Sequence, residues 1–353
     1  MRIFRVWLLV SVAFADPAFV GTASNGSLVL RPADGQQLLI AGSDFSALLA
    51  KLDKLETQVG TLTQQLADHL CVVTANTTTI SGLSGSAKWL GGVLAGNGKI
   101  YGIPYSSASV LIIDPTTNTA DTTTITGLSG SAKWLGGLLA GNGKIYGIPS
   151  YSTSVLIIDP STNTADTTTI TVLSGEAKWI GGVLAGNGKI YGIPYYSTSV
   201  LIIDPTTNTA DTSTITGFSG PANWDGSVLA GNGKIYGIPY YSTSVLIIDP
   251  TTNTADTTTI TGLSESCCKW VGGVLAGNGK IYGIPFNSAS VLIIDPTTNT
   301  ADTTTIKVLS GDYKWVGGVL AGNGKIYGIP RDSTSVLIID PTTNTADTTT
   351  ITG

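Results

Sequence analysis

Trp89, Trp134, Trp179, Trp224, Trp270 and Trp315 follow one another at intervals of 45, 45, 45, 46 and 45 residues. This period constrains the chain more than any other feature. A unit that recurs at fixed spacing is one supersecondary element, and it buries its apolar faces only by stacking against its neighbours. Units of about 40–50 residues holding four strands are the blades of a β-propeller.

Residues 88–126 represent the unit, "KWLGGVLAGNGKIYGIPYSSASVLIIDPTTNTADTTTIT". Turn chemistry divides it into four antiparallel strands. "LGGVLA" and "KIYGIP" flank Asn97-Gly98, the pair favoured in a type I′ hairpin with positive φ at both central residues. "SVLIID" ends at Asp114-Pro115-Thr116-Thr117-Asn118, where proline presets φ and the aspartate can accept from the turn backbone. "ADTTTIT" supplies a Thr-rich outer strand. The middle strands are apolar almost throughout, as in a sheet covered on both faces. Gly91-Gly92 marks the place where first strands crowd at the axis.

The stretch "GKIYGIPYSSASVLIIDPTTNT" resembles the YVTN-type repeat of secreted and surface-layer propellers. Those units run roughly G-x-x-Y-V-x-N, a Ser/Thr-containing loop, V-x-V-I-D, then T-N-T. The likeness covers two strands and two turns of each unit. The chain differs in having Gly-Ile-Pro where Val-Thr-Asn is frequent, and six units where seven are common. The resemblance implies a propeller in a class that includes adhesion, surface-layer and enzymatic members, so it speaks to fold more than to activity.

Ahead of the repeats, Arg2 and Arg5 precede an apolar run, Val6–Ala15, that ends in Ala13-Phe14-Ala15. This reads as a signal peptide over residues 1–15, because the run is about half of the ~20 residues a spanning helix needs. Secretion or display at the cell surface, without a membrane span, is the expectation. Asn25 and Asn76 stand in glycosylation sequons. Residues 16–44 form a small β element, with a hairpin around Ala33-Asp34-Gly35. Over residues 45–70, Phe45, Leu48, Leu52, Leu55, Val59, Leu62 and Leu66 alternate in steps of three and four, the seam of a coiled-coil stalk that would make the protein a homo-oligomer. The alternative is an amphipathic helix lying on the propeller. His69, the sole histidine, reads as the frayed end of that helix.

Residues 72–353 carry the propeller, and its closure is ambiguous in the sequence. Residues 74–85, "TANTTTISGLSG", copy the outer-strand segment without the strands that precede it. Either this copy completes the last blade or it serves as a lead-in.

The three cysteines belong in an oxidising compartment. Cys71 sits just beyond the stalk, where a disulfide could staple an oligomer. Cys267 and Cys268 coincide with the one inserted residue of the repeats, and they read equally as a vicinal disulfide or as substitutions in a loop.

Composition narrows the function. The net charge is −5 and 12% of residues are charged, where globular domains carry about 25%. That field does not suit nucleic acid. One histidine and near-identical blades leave little for asymmetric acid–base chemistry, so no cofactor, no metal and no catalysis are expected. The repeated Asp114, Asp159, Asp204, Asp249, Asp295 and Asp340 read as turn caps rather than a calcium ring. Lys88, Lys133, Lys178, Lys269 and Lys314 precede the tryptophans and read as solvated residues partly neutralised by Glu176, Asp225, Glu265 and Asp312.

Loops vary much on one rim and little on the other. After Ile-Pro, the blades offer Tyr105, Tyr151, Tyr195 with Tyr196, Tyr240 with Tyr241, Phe286 and Arg331 as candidates for binding a glycan or a protein. The expected function is therefore a multivalent extracellular binding or adhesion protein, with a lectin-like chemistry as one form of it. A lactonase-like propeller hydrolase and a structural coat protein are the alternatives.

Overall fold

The computed structural model describes residues 79–352 apart from 172, 221 and 308, together with strand residues 17–22, 28–32 and 38–40 and helical residues 51, 54, 55, 57–59 and 61. The chain divides into two compact units, Met1–Thr77 and Thr78–Gly353. The leader, Asn25, Asn76, His69, Cys71 and the seam positions other than Leu55 and Val59 lie outside the described residues.

In the first unit, β1 (Pro17–Thr22), β2 (Leu28–Pro32) and β3 (Leu38–Ile40) form an antiparallel sheet. The expected hairpin is the β2–β3 pair, with Leu28 opposite Ile40. β1 is an addition that sequence reasoning did not supply. Leu55 and Val59 lie in helix, and both are exposed.

The second unit is a six-bladed β-propeller of four-stranded antiparallel sheets. Blade 1 comprises β4 (Trp89–Leu94), β5 (Ile100–Pro104), β6 (Leu111–Asp114) and β7 (Thr119–Asp121). The same strands recur in blades 2–6, starting at Trp134, Trp179, Trp224, Trp270 and Trp315. The last blade is completed by its own Thr345–Asp347, and described residues 79–88 form no strand. The final strand of blade 6 is thus the chain's own Thr345–Asp347, and residues 74–78 of the lead-in lie outside the described residues.

Two local expectations need correction. Gly98 has φ 78°, but Asn97 does not enter the left-handed region. The Gly98 amide donates to the Ala95 carbonyl at 3.0 Å and the Ala95 amide to the Lys99 carbonyl at 2.9 Å. This is a three-residue loop with one left-handed glycine, not a two-residue type I′ turn. The asparagine is present for a different reason, described below. The outer strand is also shorter than expected. It stops at Asp121, whose carboxylate accepts from the amides of Thr123 (2.7 Å) and Thr124 (3.1 Å) and from both hydroxyls. Satisfying these groups locally draws the threonines out of the ladder.

Five apolar cores join successive blades. Between blades 1 and 2, Tyr101, Ile103 and Val110 pack against Trp134, Ile145 and Leu156. The "IYGIP" strand is apolar on both sides because one face meets the preceding blade and the other the following one. At the axis the first strands touch backbone to backbone. A β-carbon on Gly226, where φ is 84°, would lie 2.8 Å from the Gly272 Cα.

Polar bonds accompany each core. The Asn97 Nδ2 donates to the Tyr101 hydroxyl (3.0 Å) and to the Pro160 carbonyl of blade 2 (2.9 Å). The Tyr101 hydroxyl in turn donates to the Asn163 Oδ1 at 2.6 Å. The asparagine of "GNG" and that of "TNT" thus serve the blade interface.

Candidate ligand-binding rim

The loops after each second strand and those between blades meet on one rim. The Lys133 amide of blade 2 donates to the Tyr105 carbonyl of blade 1 at 2.9 Å, and the Ser150 amide donates back to the Lys133 carbonyl at 2.9 Å. The lysines that anchor this meeting are not solvated, contrary to expectation. Lys133, Lys178, Lys269 and Lys314 are buried. The Lys178 Nζ donates to the carbonyls of Ser150 (2.8 Å), Ser152 (2.8 Å) and Gly175 (3.0 Å) and lies 5.8 Å from the Trp179 ring centre. A cation leaves water only when such acceptors replace its hydration. Burial pushes Lys178 and Lys269 down to about 8.

The six repeated aspartates before proline do cap their turns. The Asp114 Oδ1 accepts from the Thr116 amide at 2.9 Å, and its other oxygen faces the Lys99 ammonium at 3.4 Å. Among the described residues no three potential metal-ligating side chains converge.

On the rim itself, an aromatic row crosses blades 3–6. The Tyr195 and Tyr240 ring centres are 5.8 Å apart, Tyr240 and Phe286 6.2 Å, and Phe286 and Tyr313 5.1 Å. Tyr196 and Tyr241 stand edge-on or tilted against the row, at 5.1 and 5.3 Å from Tyr195 and Tyr240. The Arg331 guanidinium closes the end, 5.2 Å from Phe286 and 5.1 Å from Tyr313. Tyr196 and Tyr241 are exposed, Tyr195 and Tyr240 half-buried, and Phe286 buried. Tyr105 and exposed Tyr151 stand outside this row.

Blade 4 contributes a second feature that sequence reasoning did not assign to the site. Where other blades read Lys-Trp-apolar-Gly-Gly, it reads Asn223-Trp224-Asp225-Gly226-Ser227. Desolvation raises the Asp225 carboxyl to about 6. Burial, with the Asp225 charge adding to it, raises the hydroxyls of both Tyr195 and Tyr240. The carboxylate therefore sits within electrostatic reach of the row. Aligning the six units against one another exposes these departures, as it does Tyr313.

Cys267 and Cys268 adjoin the row as free thiols, with sulfurs 2.8 Å apart. Cys268 takes φ 59°, at the position held by alanine in blades 1–4. Hydrogen bonding with Cys268 heads the causes that push the Tyr241 hydroxyl up to about 12.

No family model matches the chain, and no curated protein matches it. Among solved structures, it is similar to selenomethionine-substituted virginiamycin B lyase from Staphylococcus aureus, with 9% identity, a TM-score of 0.61, and coverage of 74% of this chain and 83% of that one. A catalytically inactive histidine-to-alanine form of that lyase, with quinupristin, gives 9% identity, a TM-score of 0.60 and coverage of 75% and 86%. The extracellular domain of a putative one component system from B. thetaiotaomicron gives 10% identity and a TM-score of 0.58, over 93% of this chain and 42% of that one. These likenesses establish the propeller architecture.

Proposed function

We propose that this is an extracellular binding protein, built on YVTN-like repeats, that takes carbohydrate on the rim of blades 3–6. The carrying observation is the continuous row from Tyr195 to Arg331 beside Asp225, on blades whose remaining sequence is nearly invariant. Flat aromatic faces suit the C–H faces of sugar rings, and a carboxylate whose charge reaches two of the tyrosines suits the sugar hydroxyl groups. The leader directs the chain out of the cell, and the stalk at residues 45–70, stapled by Cys71, makes binding multivalent. The extracellular domain among the structural neighbours is consistent with this reading.

The test is a glycan array probed with the full chain, followed by titration of any ligand found. Tyr196→Ser and Tyr241→Ser should each weaken binding by tenfold or more. Tyr151→Ser, outside the row, should leave it unchanged. Equal affinity in all three variants would sink the proposal.

A second reading, an enzyme, is favoured by Asp225, since a carboxyl raised to about 6 can act in general acid–base chemistry. Against it, the neighbouring lyase is inactivated by loss of a histidine, and this chain's single histidine, His69, precedes the blades. Turnover of ester or lactone substrates that disappears in Asp225→Asn would favour this reading.

A further inference from the structure

Five cores join six blades, and among the described residues none joins blade 6 to blade 1. The two end faces are apolar and open. Ile329 of blade 6 is 51% exposed and Val319 59%, whereas their counterparts Ile284 and Val274 in blade 5 are 0% and 8% exposed. On blade 1, Leu94 is 62% exposed. The polar bonds stop there too: the Tyr327 hydroxyl accepts from Asn323 (2.9 Å), but among the described residues no counterpart of the Tyr282–Asn344 bond follows.

We propose that the blade-6 face of one copy docks onto the blade-1 face of a second copy, extending the blade series head to tail. Each face carries its half of the interface made five times within the chain. Val319 stands where Val183 meets Leu229, and Leu94 where Leu229 does. Tyr327 and Asn118 stand where Tyr191 and Asn253 bond. A second copy can dock with that geometry unchanged. Joining the two ends of one chain would instead shift five cores whose central isoleucines are already fully buried. An interface formed by two different patches is heterologous and can grow beyond a dimer.

The full chain with Cys71, Cys267 and Cys268 replaced by serine provides the test. One variant carries Leu94→Cys, another Val319→Cys, and the two are mixed under oxidising conditions. A cross-linked pair should form from the mixture and not from either variant alone. Adding Ile329→Glu to the Val319→Cys chain should reduce the yield at least tenfold, with the circular dichroism of the blades retained. No cross-link in the mixture would overturn the proposal, and so would efficient cross-linking within one chain carrying both cysteines. Dimers of Leu94→Cys alone would exclude the head-to-tail arrangement. Cross-linking by stalk-held collisions would not depend on Ile329, so the Ile329→Glu comparison separates it from docking at this seam.

Discussion

The Tyr101 hydroxyl donates to the Asn163 side chain at 2.6 Å, and Asn163 holds its own backbone at φ 53°. One asparagine thus both turns its blade and bonds its neighbour. Glycine would supply the backbone conformation without the acceptor, while most other residues would strain the turn. The relationship recurs from Tyr146 to Asn208, Tyr191 to Asn253, Tyr236 to Asn299 and Tyr282 to Asn344, at 2.6–2.7 Å.

Removal of one such hydroxyl leaves a half-buried acceptor unpaired, where full burial would cost about 1–3 kcal/mol. Tyr191→Phe is therefore expected to lower stability by about 1–2 kcal/mol in chemical denaturation. Tyr327→Phe, at the open end of the series, should change it by less than about 0.5 kcal/mol in dilute monomer. Equal losses would show that the interface bond is not the cause.

The buried lysines make a similar contrast. Lys178→Met keeps much of the aliphatic bulk but takes the ammonium from the Ser152 and Gly175 carbonyls, while Ser150 keeps the Lys178 amide, and should cost about 2–3 kcal/mol. Lys178→Asn copies blade 4, where the Asn223 Nδ2 donates to the carbonyls of Ser219 (3.1 Å) and Gly220 (3.2 Å). It should cost clearly less than methionine. Thermal unfolding of the two variants in parallel checks the order.

Acid should weaken the propeller within a defined window. Hydrogen bonds from threonine or serine hold Asp121, Asp166, Asp211, Asp256 and Asp302 down to about 2. Their usual value is 3.8, so between about 4 and 2 the unfolded chain binds more protons than the folded one. Stability conferred by these carboxylates is complete above about 4 and is lost as pH falls towards 2. The denaturation midpoint should be insensitive to these groups at pH 5–7. Asp211→Asn should lower the midpoint at pH 6 and flatten its fall below pH 4.

How far the molecule was legible in its sequence follows from where the interactions lie. The tryptophan period and strand order could be read because they depend on turns and polarity within one unit. The roles of Asn97 and Lys133 could not, since their partners lie in the adjoining blade and no local pattern names them. Local chemistry also misled where two options were both favourable: Asn-Gly suits a type I′ turn, but the fold uses only its glycine at positive φ. Loop variation points to the aromatic residues after Ile-Pro, but not to the row they form, whose members come from four blades. Asp225 reads in the sequence as a neutralising neighbour of the lysines, because its desolvation on a first strand is set by the assembled blades.

Asp225 also makes the most specific pH prediction. Its carboxyl is raised to about 6 by desolvation, so between about 4 and 6 the folded chain holds more protons than the unfolded one. The contribution of this group to stability is therefore greatest at low pH and falls as pH rises through 6. Asp225→Asn removes the buried charge and should stabilise the protein at pH 7.5 by an amount on the order of 2 kcal/mol, discounted for the exposed part of the side chain. At pH 3.5 the two proteins should differ little at this site. Ligand binding should respond in the opposite sense, because an ionised carboxylate is the stronger acceptor for sugar hydroxyls. Affinity in the parent should rise between pH 5 and 7, whereas Asp225→Asn should bind more weakly and without that rise. Calorimetric titration at several pH values, with unfolding measured on the same samples, separates the two effects. A stabilised variant that retains the pH-dependent affinity would remove Asp225 from the binding site and leave its effect on the fold intact.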